Sequence, residues 1–564
     1  MAINGAQAFL QLLANAGVSH LFGNPGTTEL PLNDAVASEP RIRYILGLQE
    51  VPVMAMADGF AMASRQIGVV NLHISCGLGN AMGMLYNAHR EGTPLLVTAG
   101  QQDRRLKLAE PILGGDMVSV ARPWTKWSYE VERVEDLPAV VRRSIQLALT
   151  PPTGPIFLAL PMDLQLADAS HLDIAAWKPA DHRVRPAAVS LQAAAKLLAA
   201  AKNPGLLVGS RVNEADAVGE LVAVAERLGA PVFAEPGHTA GRLPFPPAHP
   251  LYAQTVGHWA PEIAGRLAEF DVLFVVGADL LREYVYQGPE PAIPHAVRIV
   301  HLDQNIAEIG KNYPIDVAVP GDPKLGLGEL DALLAELIPA DAREAATKRF
   351  QSRAGKHAAA AARLRAQVDS RRAARPMHPS VLMESLSRVL PPDLALVEEA
   401  VTTTNTAFHR LGALKNTSGY FAHRGWALGW GLGCSLGVKL AWPERPVMAI
   451  LGEGASMYGI QGLWSAAHHR LNVTFVIANN AQYQILKAGA ANLGLPAAAA
   501  GQFIGMDLVG PEIDMVSLAK AFGVEAERVS DPDELAEKVK GSLAVQDRPR
   551  LFDVPIERSL AGPS

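Results

Sequence analysis

The sequence predicts an α/β protein of three domains, two similar parallel-sheet units flanking a middle one, and three observations lead there. Short apolar runs alternate with helical patterns from the N-terminus onward, as in a parallel sheet covered by helices on both faces. Two changes of composition, one rich in Pro, Ala and charge and one rich in Ala, Arg and Lys, interrupt the alternation, and it resumes after each. The length of 564 residues leaves room for three or four domains at about 150 residues each.

Taken in order, the runs VSHLFG, RYILGLQ, GVVNLHI, PLLVTAG and PTGPIFLALPMD are strand candidates of a first unit over residues 1–183. AAWKPADHRVRPAA closes it. The middle unit, 184–341, offers NPGLLVGS, APVFAEP, DVLFVVGAD and VRIVHLD. Its VVGADLL turn is no GxGxxG, so no dinucleotide fingerprint is read there. Residues 342–375 read as a helix and solvated connector. The third unit, 376–564, repeats the logic of the first with LALVEE, RPVMAIL, NVTFVIANN and RPRLFDVPI. Crossovers in such sheets are right-handed, and ligands bind at the carboxyl ends of the strands.

Composition narrows the function classes. Hydrophobic residues make up 49% and charged residues 19%, an ordinary balance for a globular enzyme, and the net charge of −6 gives no basic field for nucleic acid or anionic lipid. The two cysteines, Cys76 and Cys434, are too few for a disulfide framework or a cysteine zinc site. The N-terminus lacks a signal-peptide pattern and no apolar run is long enough to span a bilayer. A cytoplasmic enzyme of small molecules is expected, without nucleic-acid or membrane partners.

One stretch poses a chemical question. LGEGASMY, residues 451–458, places Glu453 between glycines just past the apolar run PVMAI, and a carboxylate there is badly placed for packing. Between Gly454 and Asn479 lie 24 residues, enough for one helix and a return strand. A right-handed crossover of that length brings Glu453 near Asn480. Two hard oxygens and a loop carbonyl suit magnesium or calcium better than zinc. Taken alone, GEG and NN could equally be turns.

The spacing of GEG, 24 residues and NN resembles the cofactor motif of thiamine diphosphate-dependent enzymes. The first unit carries matching phrases: GNPGTTELP, LQE at 48–50, NLHISCGLGNAMG and VTAGQQ. Together they are similar to the benzoylformate decarboxylase branch of that family, over essentially the full chain. The resemblance implies that Glu453, Asn480 and the main-chain carbonyl of Gln482 bind Mg2+, with Ca2+ as an alternative, and that the ion grips the diphosphate. Thr402, Gly454, Ala455, Tyr458 and Tyr483 match positions near the phosphates. The backbone of Trp426 to Leu428 would meet the pyrimidine, with Leu428 as the wedge that bends the cofactor. Four positions depart from the family pattern: Glu453 stands where Asp is usual, Ala455 where Ser, Trp426 where Gly and Gly433 where Pro are common.

Glu50 follows the apolar strand RYILGL and matches the family's catalytic glutamate, whose carboxyl on the far pyrimidine nitrogen favours the imino form that activates the cofactor. Read alone, it is also a helix-start acid. His73 would relay protons, work to which an imidazole is suited. Thr27 matches a serine that contacts the substrate carboxylate, and it could also cap a helix. The family's second catalytic histidine, from the middle domain, has no counterpart here; Tyr284 aligns with it, and Tyr286 is close by.

The function implied is thiamine diphosphate- and Mg2+-dependent decarboxylation of an aromatic 2-oxo acid such as benzoylformate, with carboligation possible, in a homodimer or homotetramer with active sites between subunits. An acetolactate-synthase-like carboligase and a non-catalytic binding protein on the same fold are the alternatives.

Overall fold

The structure is a computed structural model that describes residues 3–235, 241–257, 259–283, 286–403, 412–545 and 547–558. The first sheet contains β1 (His20–Gly23), β2 (Arg43–Leu46), β3 (Gly68–Leu72), β4 (Leu95–Gln101), β5 (Trp127–Glu130) and β6 (Ile156–Pro161). The middle one contains β7 (Pro204–Val208), β8 (Val232–Ala234), β9 (Tyr252–Thr255), β10 (Val272–Val276), β11 (Arg298–Asp303) and β12 (Val317–Pro320). The third contains β13 (Ala395–Glu399), β14 (Tyr420–Phe421), β15 (Val447–Gly452), β16 (Thr474–Asn479), β17 (Glu525–Arg528) and β18 (Arg550–Pro555).

Each sheet has six strands, in the orders β2-β1-β3-β4-β6-β5, β12-β11-β10-β7-β8-β9 and β14-β13-β15-β16-β18-β17. All pairings are parallel. The three-domain α/β expectation holds. Each of the thirteen apolar runs contains a strand, and five further strands, β5, β9, β12, β14 and β17, lie at sheet edges. Residues 340–371 form a single helix of 32 residues, of which Ala346, Leu364 and Val368 are buried.

Three helices position the site: α1 (Glu50–Ser64), α2 (Ile74–Glu91) and α3 (Trp430–Ala441). Nearly every residue of α1 and α3 is buried, as an all-round apolar helix requires. They cross at glycines. A Cβ on Gly59 would collide with the Cys434 carbonyl, and one on Gly437 with the Met56 carbonyl. Around this crossing one hydrophobic core runs from the first sheet (Phe22, Val70, Phe157) to the third (Phe421, Ala449, Phe475). Asp58 of α1 is buried there and accepts a hydrogen bond from Trp430 Nε1 at 2.6 Å.

Registers bring the carboxyl ends of strands together. Gly452 of β15 lies beside Ala478 of β16, so Glu453 and Asn480 leave the sheet side by side. In the first sheet, Gly23 of β1 pairs with Asn71 of β3 and with Leu46 of β2, which gathers the segments leading to Thr27, His73 and Glu50.

Candidate active site

In the third domain the carboxylate of Glu453 turns back over the loop after β16. Its Oε1 accepts from the Gln482 N–H at 3.1 Å and its Oε2 from the Asn480 N–H at 3.4 Å. Asn480 Oδ1 also accepts from the Gln482 N–H, at 3.2 Å. Ala481 makes this turn possible with φ of 49°, and Arg558 holds it from outside, donating to the carbonyls of Asn480 at 2.9 Å and Ala481 at 2.7 Å. Burial pushes the Glu453 carboxyl up to about 7. It is only 3% exposed, and among the described residues no Lys or Arg pairs with it.

A buried carboxylate without a cationic partner, beside a side-chain oxygen and loop carbonyls, fits a hard divalent cation such as Mg2+. The Glu453 side chain is long enough for each of its two carboxylate oxygens to meet one of these N–H groups. Around this cluster, Gly454 is kept small by Tyr483, whose Cε1 would lie 2.8 Å from an added Cβ. Ala455 is buried and Thr402, three residues past β13, is half-buried. Tyr458 is exposed and packs over Gly429, at which φ is +95°.

A second cluster forms in the first domain. Glu50 is the first residue of α1 and is buried; its Oε2 accepts from Asn80 Nδ2 of α2 at 3.0 Å. Gly77 of α2 lies between Glu50 and His73: a Cβ there would come within 3.0 Å of Glu50 Oε1 and 3.4 Å of His73 Cβ. His73 is the N-cap residue of α2, and its Nδ1 contacts Glu29 Oε2 at 2.7 Å. Glu29 is fully buried, and its Oε1 accepts from Thr28 Oγ1 at 2.8 Å, the Gly100 N–H at 2.8 Å and the Ile74 N–H at 3.2 Å. With Glu29 accepting from all these donors, its contact with His73 is met by a hydrogen on Nδ1, which leaves Nε2 outside that contact.

Gly26 packs against the His73 ring so closely that any Cβ would overlap it, and exposed Thr27 follows directly. Glu50, His73 and the Thr27 loop are thus one cluster. Among the described residues no hydrogen bond or ion pair joins Glu50, His73 or Thr27 to Glu453, Asn480 or Gln482.

The segment before α3 is held from several sides. Trp426 adopts φ of 64°, a left-handed conformation that costs a bulky residue about 1–2 kcal/mol. Its N–H donates to His423 Nδ1 at 2.8 Å. Burial pushes His423 down to about 4, so the ring is neutral, and its Nε2 lies 3.5 Å from buried Glu399. Glu399 accepts from the N–H groups of Trp430 at 3.0 Å and Gly431 at 2.9 Å. Leu428 is half-buried at the end of this segment. At Gly433, glycine admits the Pro52 carbonyl of α1 to within 2.7 Å of an added Cβ.

In the middle domain the carboxyl edge of the sheet is filled by ion pairs. Arg211 binds Asp303 at 2.7 Å and Asp279 at 2.9 Å, and Arg424 of the third domain reaches Glu235 at 3.0 Å and Asp279 at 3.2 Å. Tyr284 lies outside the described residues, and Tyr286 is 76% exposed.

Sequence reasoning missed Glu29, Asn80, His423 and Glu399. Glu29 had a visible signal, an acid two residues past Thr27 in the same Pro-Gly loop, which a helix-start role hides. The other three show their partners only in space.

The family models for the thiamine pyrophosphate enzymes match all three parts: the N-terminal TPP binding domain over residues 3–116, the central domain over 191–330 and the C-terminal TPP binding domain over 400–554. Benzoylformate decarboxylase of Pseudomonas aeruginosa is 34% identical over 98% of both chains. A probable acetolactate synthase large subunit of Methanocaldococcus jannaschii is 26% identical, covering 100% of this chain and 93% of that protein. Among solved structures, the thiamine diphosphate-dependent 4-hydroxybenzoylformate decarboxylase of Rhodococcus jostii superposes with a TM-score of 0.86 at 28% identity, over 99% of this chain and 100% of its own. Benzoylformate decarboxylase of Polynucleobacter necessarius gives 0.85 at 29% identity over 99% of each. With three domains of the family in order and a relative of this identity along its whole length, the chain belongs to the thiamine pyrophosphate enzymes.

Proposed function

We propose that the protein is a thiamine diphosphate- and Mg2+-dependent lyase that decarboxylates an aromatic 2-oxo acid of the benzoylformate type to an aldehyde and carbon dioxide. The observation that carries this reading is the buried Glu453 carboxylate, without a cationic partner, beside Asn480 and the Gln482 loop at the carboxyl ends of β15 and β16. Likeness to benzoylformate decarboxylases along the full chain supports the substrate class.

Bound thiamine diphosphate supplies a nucleophilic carbon and the electron sink that loss of carbon dioxide needs. The chain's own groups do the rest. Glu453, Asn480 and the Gln482 carbonyl hold the Mg2+, and Thr402, Gly454, Ala455, Tyr458 and Tyr483 surround the diphosphate. The backbone of Trp426 to Leu428 would receive the pyrimidine, with Leu428 as the wedge that bends the cofactor. Glu50, kept dry at the start of α1 and fixed by Asn80, presents its carboxyl to the pyrimidine. His73 moves a proton at Nε2 while Glu29 fixes its tautomer, and the Thr27 hydroxyl orients the substrate carboxylate.

Glu50 and Glu453 serve one site when the first domain of one subunit faces the third of another, so the active unit is a homodimer or homotetramer. The protein works in the cytoplasm, where Cys76 and Cys434 stay free thiols. Likeness to acetolactate synthases keeps a carboligase as the second reading. Ion pairs filling the middle sheet's carboxyl edge argue against its flavin-carrying version.

The test is proton NMR of the purified protein with thiamine diphosphate and Mg2+, given benzoylformate or pyruvate. Benzaldehyde from benzoylformate is expected. Acetolactate or acetoin from pyruvate with benzoylformate untouched would move the protein to the carboligases; no product from either calls for a thiamine diphosphate binding measurement, and failure to bind it would support the non-catalytic reading.

A further inference from the structure

We propose that Asn87 of α2 is a positioning residue that holds the Ala427 peptide, and through it the Trp426 to Leu428 backbone, in the shape that receives the cofactor's pyrimidine. The proposal rests on the functional reading above, and its first observation is a two-point clamp. Asn87 Nδ2 donates to the Ala427 carbonyl at 2.7 Å, and Asn87 Oδ1 accepts from the Ala427 N–H at 3.0 Å. One side chain thereby satisfies both main-chain groups of a single residue, 340 positions away in the sequence and in another domain. A primary amide offers a donor and an acceptor side by side without needing to be protonated, as this arrangement requires. The two contacts also fix which end of the amide is oxygen.

The surroundings are built for this approach. Asn87 is 0% exposed, so its amide has no water to exchange for these bonds. Gly425 is glycine where it must be: any Cβ would collide with Asn87 Oδ1. One turn earlier on α2, Gly83 faces Ala427, whose Cβ lies at ordinary contact distance, 3.6 Å, from where a Cβ of residue 83 would be.

The clamp acts where the backbone needs holding. Trp426, the preceding residue, has φ of 64°, and its N–H is taken by His423 at 2.8 Å. On the other side, Trp430 and Gly431 are anchored by Glu399. Ala427 lies between these two anchors, and among the described residues its hydrogen bonds are to Asn87. The same helix carries Asn80, which fixes Glu50 at 3.0 Å. Asn80 and Asn87 are two turns apart on one face, so a single rigid element sets both the Glu50 carboxyl and the 427 peptide.

The experiment compares wild type with Asn87→Ala, Asn87→Leu and Gly425→Ala. Leucine fills the volume without hydrogen bonds, and the Gly425 change breaks the clamp from the loop side, its Cβ pressing on Asn87 Oδ1 and Cα. Amide hydrogen exchange is measured without cofactor, and affinity for thiamine diphosphate with Mg2+ is measured by tryptophan fluorescence. The amides of 426–428 are expected to exchange about tenfold faster or more in all three, from the loss of two buried hydrogen bonds. Amides of α3 should stay as slow as in wild type. Cofactor affinity is expected to fall about tenfold or more.

Unchanged exchange at 426–428, or wild-type affinity alongside faster exchange, overturns the proposal. A wild-type protein that binds no thiamine diphosphate overturns the functional reading instead. The exchange data, taken without cofactor, then still decide whether Asn87 holds the peptide.

Discussion

Glu453 holds its carboxyl in surroundings that resist its charge, since burial pushes it up to about 7 and, among the described residues, backbone N–H groups, its own and those of Asn480 and Gln482, answer it. A divalent cation at that carboxylate, as proposed, would supply the missing partner. Glu453→Gln keeps the shape and removes the anion. It should weaken Mg2+-dependent binding of thiamine diphosphate roughly 100-fold, read by calorimetric titration at fixed cofactor concentration. Equal affinity in the variant would remove Glu453 from the proposed ligand set. At this scale the sequence was informative where spacing carried the meaning: GEG and NN put Glu453 and Asn480 side by side because two adjacent parallel strands end there. The sequence could not show Glu29 behind His73 or Asn80 behind Glu50, because a hydrogen bond between residues 44 or 30 positions apart leaves no periodic trace.

At the scale of elements, α1 and α3 cross on glycines and carry one buried acid between them. Burial pushes Asp58 from 3.8 to about 6, with Trp430 Nε1 as its hydrogen-bond donor. The folded state therefore keeps its proton longer than the unfolded chain does. Stability from this group is complete below pH 3.8 and is lost as pH rises through about 6. Asp58→Asn retains an acceptor for Trp430 and escapes the loss. It should raise unfolding free energy by at most about 3 kcal/mol at pH 7.5 and by little at pH 4, read from urea midpoints at the two pH values. An equal shift at both would exclude titration of Asp58 as the cause. The strands missed in the sequence teach the same physics: β17, EAER, is largely exposed, while the central strands are continuous apolar runs. β5, β9, β12 and β17 are part-exposed edge strands that lack the buried signature of central strands, while β14, two buried residues long, is too short to show a period.

For the whole molecule, the proposed assembly has its own signature on the surface. Leu108 is 99% exposed and Ile112 84% exposed on the first domain, and Ile504 is 88% exposed on the third. Burying such side chains is worth about 1.5–3 kcal/mol each, which a subunit contact would recover. Sedimentation equilibrium should find a dimer or tetramer, and the double variant Leu108→Asp, Ile112→Asp should shift it toward a folded monomer with little activity. A wild-type monomer that turns over substrate would refute the intersubunit site. The sequence by itself determined the family, the three α/β units and the placement of Glu50, His73, Glu453 and Asn480 at strand ends, because period, strand-end position and short motifs are local properties of the chain. Only the tertiary structure decided how Trp426 is accommodated in a left-handed turn, which side chains fix each candidate group and how Arg424 reaches the middle domain. Those outcomes depend on contacts between distant segments, which packing selects and no local pattern encodes.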